Sequence, residues 1–185
     1  MFHLSIKESR INIDFLTEPD AARDVFPFIR VQEDLAACLI QGSSIVFKFC
    51  YEKEIEGILP NNGKIIASIN ITDIVGALTM KGLALPRLVD KDSYDIYALC
   101  GFYGGDPYKA SESFMNRVEK VELTRKEKDV TQLSMRRIGQ AFGSIDSYGV
   151  FAASRFIGAD VNSDVYLRVS TFLKNLRRAL APAGA

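Results

Sequence analysis

The sequence predicts an α+β fold: a largely antiparallel N-terminal sheet with short helices, followed by a C-terminal bundle of three to four helices. Three observations carry this. Residues before about 105 alternate apolar and polar in short runs broken by turn residues. Residues after it space their apolar side chains at threes and fours. No internal repeat or low-complexity linker divides the 185 residues. One compact domain is therefore expected, sheet-rich over residues 1–105 and helical over residues 106–180, with a frayed tail at 181–185.

The elements follow in order. Phe2, Leu4 and Ile6 alternate, as do Ile11, Ile13 and Phe15, so a hairpin is expected across Lys7–Arg10. Thr17 can cap a short helix with Pro19 and Asp20 in its first turn, which Pro27 interrupts. A second helix is expected over Val31–Gln41, stopped by Gly42. Ser43–Tyr51 reads as the clearest strand, with Ile45, Phe47, Phe49 and Tyr51 on one face. Asn61-Asn62-Gly63 tolerates positive φ and joins strand Glu54–Leu59 to strand Lys64–Ile71. Thr72 then caps a helix ending at Gly82. Asp90–Ser93 reads as a polar loop, Tyr94–Cys100 as a strand and Gly101–Gly105 as a turn.

In the helical half, Asp106-Pro107 opens the first helix, with Phe114, Met115, Val118 and Val121 as its stripe. Residues 121–125 have an alternative reading as a short strand. Asp129 opens the next helix, burying Val130, Leu133, Ile138, Ala141 and Phe142 and stopping at Gly143. Ser144 opens a third, running to Gly158. Ser163 opens the last, where Val165, Val169, Phe172, Leu173, Leu176 and Leu180 form the best amphipathic stripe in the chain.

Composition narrows the function. The net charge is zero, from 23 basic and 23 acidic residues. It is not evenly spread: residues 1–110 sum to −4 and residues 111–185 to +4. Counted with glycine and without tyrosine, the apolar share is about 51% against the usual ~45–50%, which suggests apolar surface beyond one core. A neutral chain also lacks the self-repulsion that keeps monomers apart. Cys38, Cys50 and Cys100 are odd in number and scattered, with no CxxC or Cys/His pair, so a zinc site is not expected and a reducing compartment is. The N-terminus has no basic stretch followed by a long apolar run, and no run approaches the ~18 residues of a membrane span. A cytoplasmic setting is expected, or a virion for a viral chain.

The candidate binding residues are basic. Arg125, Lys126 and Lys128 cluster near a helix junction, Arg136 and Arg137 lie on the second helix, and Arg168, Lys174, Arg177 and Arg178 lie on the last. Together they can contact phosphates of single-stranded nucleic acid or an acidic neighbouring subunit. Other features carry less chemistry. Asp90, Asp92 and Asp95 are oxygen ligands of the kind that hold Mg²⁺, but lack the spacing of a calcium loop. The Gly101–Gly105 turn resembles a phosphate cradle in layout, yet Asp106 would repel an anion there and Pro107 lacks an N–H. Glu52, Glu54 and Glu56 would share a solvent-facing strand face. Tyr94, Tyr97, Phe102, Tyr103 and Tyr108 form an aromatic cluster in sequence. His3 is the single histidine, and no serine sits in G-x-S-x-G, so no catalytic residue, metal or cofactor is assigned.

The function expected is therefore that of a non-enzymatic, self-assembling structural or interaction protein, a homo-oligomer of the viral or phage-type coat, matrix or nucleocapsid kind. Two alternatives stand beside it. One is a small Mg-dependent enzyme or ligand-binding domain acting on a phosphorylated metabolite, with a site joining Asp90, Asp92, Asp95 and the Gly101–Gly105 turn. The other is an adaptor or chaperone that uses a sheet edge.

Overall fold

The computed structural model describes residues 2–6, 9–13, 15–19, 28–33, 35–59 and 61–180, and only the backbone of 2–13 and 178–180. The fold is α+β, with small sheets first and helices after. By its internal contacts the chain divides into two compact units, Met1–Ser44 and Ile45–Ala185.

The first unit is built of short strands. β1 (Phe2–Ile6) and β2 (Ser9–Ile13) form the expected hairpin, with Phe2 opposite Ile13. β3 (Leu16–Thr17) runs parallel to β5 (Leu35–Leu39), which pairs antiparallel with β4 (Phe28–Gln32). Thr17 thus ends a strand, and most of the helix expected after it falls outside the described residues. The helix expected over Val31–Gln41 is instead β4 and β5. Helix-forming Glu, Leu and Ala there yield to strand pairing across the turn at Glu33, which buries Ala37. Gly42 does take positive φ (84°), in a turn tied down by the Glu18 carboxylate, which accepts from the N–H groups of Gly42 (3.0 Å) and Ser44 (3.2 Å).

The second unit begins with α1 (Ser44–Lys48), where a strand was expected. Ile45 and Phe49 are four apart, a spacing that satisfies both periods. The helical one prevails: both are fully buried, while Phe47 is 78% exposed. β6 (Cys50–Ile58) and β7 (Lys64–Thr72) then form a two-stranded antiparallel ribbon about the expected Asn61-Asn62-Gly63 turn, with Asn62 at φ 62°.

Six helices follow, so the sheet-rich region ends at Thr72 and not near 105. They are α2 (Ile74–Ala84), α3 (Asp90–Phe102), α4 (Pro107–Lys120), α5 (Arg125–Ala141), α6 (Tyr148–Ile157) and α7 (Asn162–Leu180). The loop and strand expected over 90–100 are one helix. Ser93, Ile96, Tyr97 and Cys100 recur at helical spacing and are buried, and Asp90 and Asp92 suit the positive end of the helix dipole. α4 starts as expected, with the Asp106 carboxylate accepting from the N–H groups of Tyr108 and Lys109 and Pro107 in the first turn. Residues 121–124 are irregular, not a strand. α5 starts four residues earlier than Asp129, because Thr124 and Glu127 form a capping box. α6 starts after Ser147, not Ser144, and ends at Gly158 in the left-handed conformation (φ 75°).

These helices share one core that includes Leu78, Ile96, Phe114, Ile138, Val150, Val169 and Phe172. The α7 stripe read from sequence packs as expected: Val165, Val169, Phe172 and Leu176 are buried. α2 and α5 approach closely at Gly82, where a Cβ would strike the Ser134 hydroxyl and lie 2.8 Å from its carbonyl.

The cap of α2 is Asp73, one residue after the expected Thr72. Its carboxylate accepts from Val75 N–H (2.9 Å) and Gly76 N–H (3.3 Å) and pairs with Arg117 Nε of α4 at 2.6 Å. Asp73→Ala should lower unfolding free energy by about 2–3 kcal/mol. The lost cap contributes ~1 kcal/mol, and the buried pair contributes the rest, discounted because Arg117 is partly solvated. Urea unfolding of the purified variant measures this.

Candidate functional site

The basic residues singled out in the sequence all lie in the second unit, but not on one surface. Arg168 turns inward: its Nε lies 3.0 Å from both Asp164 carboxylate oxygens, its Nη1 donates to Gly101 carbonyl (3.2 Å), and it stacks on the Phe102 ring at 4.3 Å. Arg137 Nη1 donates to the Leu83 carbonyl at 3.0 Å. Both side chains fasten helices to one another. Arg125, Lys126 and Lys174 are exposed, and the Arg178 side chain lies outside the described residues.

Three of the set do converge. Lys128, Arg136 and Arg177 rim a groove of about 540 Å³ between α4, α5 and α7. Its floor is apolar: Met115 and Val118 of α4, Leu123 of the 121–124 segment, Met135 of α5, and Leu173 and Leu176 of α7. The local sequence explains this layout. The capping box fixes where α5 begins, and Thr124 also receives support from Glu127, whose Oε2 accepts from Lys48 Nζ at 2.7 Å. Burial opposes ionisation of Glu127, but hydrogen bonds from Lys48 and Thr124 outweigh it and lower its pKa. From that start, Lys128, Gln132 and Arg136 recur every four residues and edge the groove, while Thr131 and Met135 form the row beside them. Thr131 turns its hydroxyl onto the Glu127 carbonyl (2.9 Å), so its methyl is left for the groove.

Electrostatically the rim is lopsided. Glu119 is the one carboxylate lining the groove against three cations, and no ion pair engages Lys128, Arg136 or Arg177 among the described residues. Along α5, Lys128 and Arg136 stand two turns apart, about 12 Å at 1.5 Å per residue. The methionines give the floor a surface that adapts to different shapes.

The other sequence candidates resolve as structure. The three aspartates expected in a loop sit at the start of α3 and are taken by cations. Asp92 accepts from Lys81 Nζ (2.9 Å) and Arg87 Nη2 (2.8 Å), Asp95 pairs with Lys81 (2.6 Å), and Asp90 with Arg155 (2.5 Å). No cluster of three metal-ligating side chains occurs among the described residues. The Gly101–Gly105 turn is at the opposite end of α3 from these carboxylates. Of the aromatics, Tyr94 stacks on Phe156 (4.8 Å) and Tyr97 meets Phe102 edge-on (5.3 Å), while Tyr108 stands apart, exposed. Burial, helped by a 2.5 Å hydrogen bond to Asp164, pushes the Tyr97 phenol up to about 12. Cys100 is fully buried and its thiol pushed up in pKa, so it is not a reactive thiolate at neutral pH. Glu52, Glu54 and Glu56 do share an exposed face of β6.

What the sequence reading missed is the floor. The α4 stripe was visible, but that Met115 and Val118 stay half-exposed opposite Met135 and Leu173 depends on how α4, α5 and α7 splay. Among the described residues no helix is long and apolar enough to cross a membrane. No family model, curated protein or solved structure matches the chain.

Burial opposes ionisation of Asp92, but the hydrogen bonds from Lys81 and Arg87 prevail and hold its pKa below the ordinary value. A depressed folded pKa contributes stability that is complete above the unfolded value of about 3.9 and is lost as pH falls through the folded one. Asp92→Asn should therefore cost about 1.5–3 kcal/mol at pH 7. The gap to wild type should close as pH is lowered below about 4. Denaturation curves across pH test both halves.

Proposed function

We propose that this chain is a non-enzymatic interaction protein whose α4/α5/α7 groove docks an acidic amphipathic helix of a protein partner. The observation that carries the reading is an apolar floor bordered by three cations and one carboxylate. A helix laid in such a groove buries its apolar face at i, i+3, i+4 and i+7 and sets its flanking carboxylates over the rim. Rim charges chiefly steer encounter and fix register, while the floor supplies affinity through burial at about 25 cal/mol per Å².

The charge spacing favours a polypeptide over a small amphiphile. A single anionic headgroup satisfies one cation, whereas Lys128 and Arg136 are about 12 Å apart along the helix and call for two carboxylates about two turns apart. The floor also favours protein over nucleic acid. Phe114 is the one aromatic in the lining and it is buried, so no ring is offered for base stacking, and phosphates gain nothing from aliphatic surface.

The test is fluorescence anisotropy with a labelled synthetic helix carrying leucines on one face and glutamates two turns apart. Binding should be measurable at low salt and weaken as the Debye length shrinks. Lys128→Glu with Arg136→Glu should weaken it about tenfold or more, equivalent to roughly 1.4 kcal/mol. A peptide with the glutamates changed to glutamine should weaken by a similar factor. Undiminished binding by the doubly reversed variant contradicts the proposal. So does single-stranded RNA that outcompetes the peptide and is insensitive to the floor change Met135→Ala.

A further inference from the structure

Independently of the groove, the β6–β7 ribbon carries a second surface. Its register places Tyr51, Lys53, Ile55, Ile65, Ile69 and Ile71 on one face, and Glu52, Glu54, Glu56, Ile66, Ser68 and Asn70 on the other. Between positions 51 and 70 every described residue is exposed or half-exposed, and Tyr51, Ile55, Ile65 and Ile69 are each more than 40% exposed. Neither strand has a second neighbour among the described residues.

The two open edges differ in chemistry. β6 alternates glutamates along its length, whereas β7, Lys-Ile-Ile-Ala-Ser-Ile-Asn-Ile-Thr, carries one charge, at its end, and no proline or bulge. The hydrogen-bond phase of the edge follows from the two ends of the ribbon. Leu59 N–H donates to Gly63 carbonyl (2.8 Å) and Asp73 N–H to Phe49 carbonyl (2.7 Å), so odd residues of β7 face β6. Ile66, Ser68 and Asn70 therefore direct their N–H and C=O groups outward.

We infer that β7 pairs antiparallel with β7 of a second copy of this chain, forming the four-stranded sheet β6-β7-β7′-β6′ about a two-fold axis at Ser68. Centred there, all nine residues pair. Ile65 meets Ile71 of the partner subunit, Ala67 meets Ile69 of the partner subunit, Ile66 meets Asn70 of the partner subunit, and the two Ser68 residues face each other. Apolar lies beside apolar on one face, and no like charges are opposed. The same operation on β6 would set Glu54 against itself and Glu52 against Glu56 twice, which is repulsive. Charge thus selects β7. Antiparallel pairing also puts the base of one ribbon at the tip of the other, so the helical bodies sit at opposite ends of a sheet about 30 Å long.

The test exploits the self-opposed serine. Light scattering on the wild-type full chain should show a dimer forming as concentration rises from micromolar toward millimolar. Ser68→Lys alone and Ser68→Glu alone should each raise the dissociation constant at least tenfold, since each opposes a charge to itself. An equimolar mixture of the two should restore the dimer, which also shows that both variants are folded. Ser68→Pro should be monomeric with an unchanged helical circular dichroism spectrum, because its lost N–H faces outward. A wild-type chain that stays monomeric throughout overturns the inference. So does a dimer that the single charged variants retain, or one that the mixture does not restore.

Discussion

A buried carboxylate holds the second unit together where its ribbon meets its helices. Asp73 is 4% exposed. Its side chain caps α2 and pairs with Arg117 of α4, and its own N–H closes the ribbon on the Phe49 carbonyl, which also accepts from the Thr72 hydroxyl at 3.1 Å. The fit is tight enough to require glycine at 76, where a Cβ would strike the Thr72 hydroxyl and come within 3.2 Å of the Phe49 carbonyl. One residue thus satisfies two orphan donors of a helix end, pairs with a partly solvated cation and fixes the direction in which nine-residue strands leave the body. A two-stranded ribbon is marginal by itself. This anchorage at its base is what gives β6 and β7 a defined frame.

From that anchorage follow two surfaces of opposite design. The groove is apolar within and basic at the rim; the ribbon gathers its glutamates on one face and most of its isoleucines on the other. Part of the apolar share above average lies exposed on the ribbon, at Tyr51, Ile55, Ile58, Ile65, Ile66 and Ile69. The zero net charge likewise resolves locally. Some of the basic residues are internal fasteners, Arg168 and Arg137 among them, whereas Lys128, Arg136 and Arg177 at the groove carry no ion pair among the described residues.

Much of the fold was legible where the signal is local. Asn61-Asn62-Gly63 fixes a hairpin because its residues accept positive φ, Asp106-Pro107 starts a helix by satisfying donors, and the α7 stripe needs only its period. Reading failed where two periods coincide or pairing decides. Ile45 and Phe49 fit strand and helix alike. The aromatic run of α3 has strand propensity but helical burial, and residues 31–41 have helical composition but find a sheet partner. The capping box at Thr124 and Glu127 was present in the sequence, and it starts the helix at Arg125, four residues ahead of Asp129. For the groove, the cations were legible as residue types. Their division into fasteners and rim was not, since it depends on which helix each guanidinium reaches.

Among the described residues β7 has no neighbour on its outer edge, where its even-numbered amides face outward in a frame held by Asp73. Amide hydrogen exchange of the full chain, followed residue by residue at low and high protein concentration, tests this arrangement most directly. Odd amides of β7 should be protected at both concentrations, and those of Ile66, Ser68 and Asn70 should exchange fast in dilute solution and become protected as concentration rises. Even amides that stay unprotected at every concentration, or odd ones that exchange as fast as the even, would contradict the account.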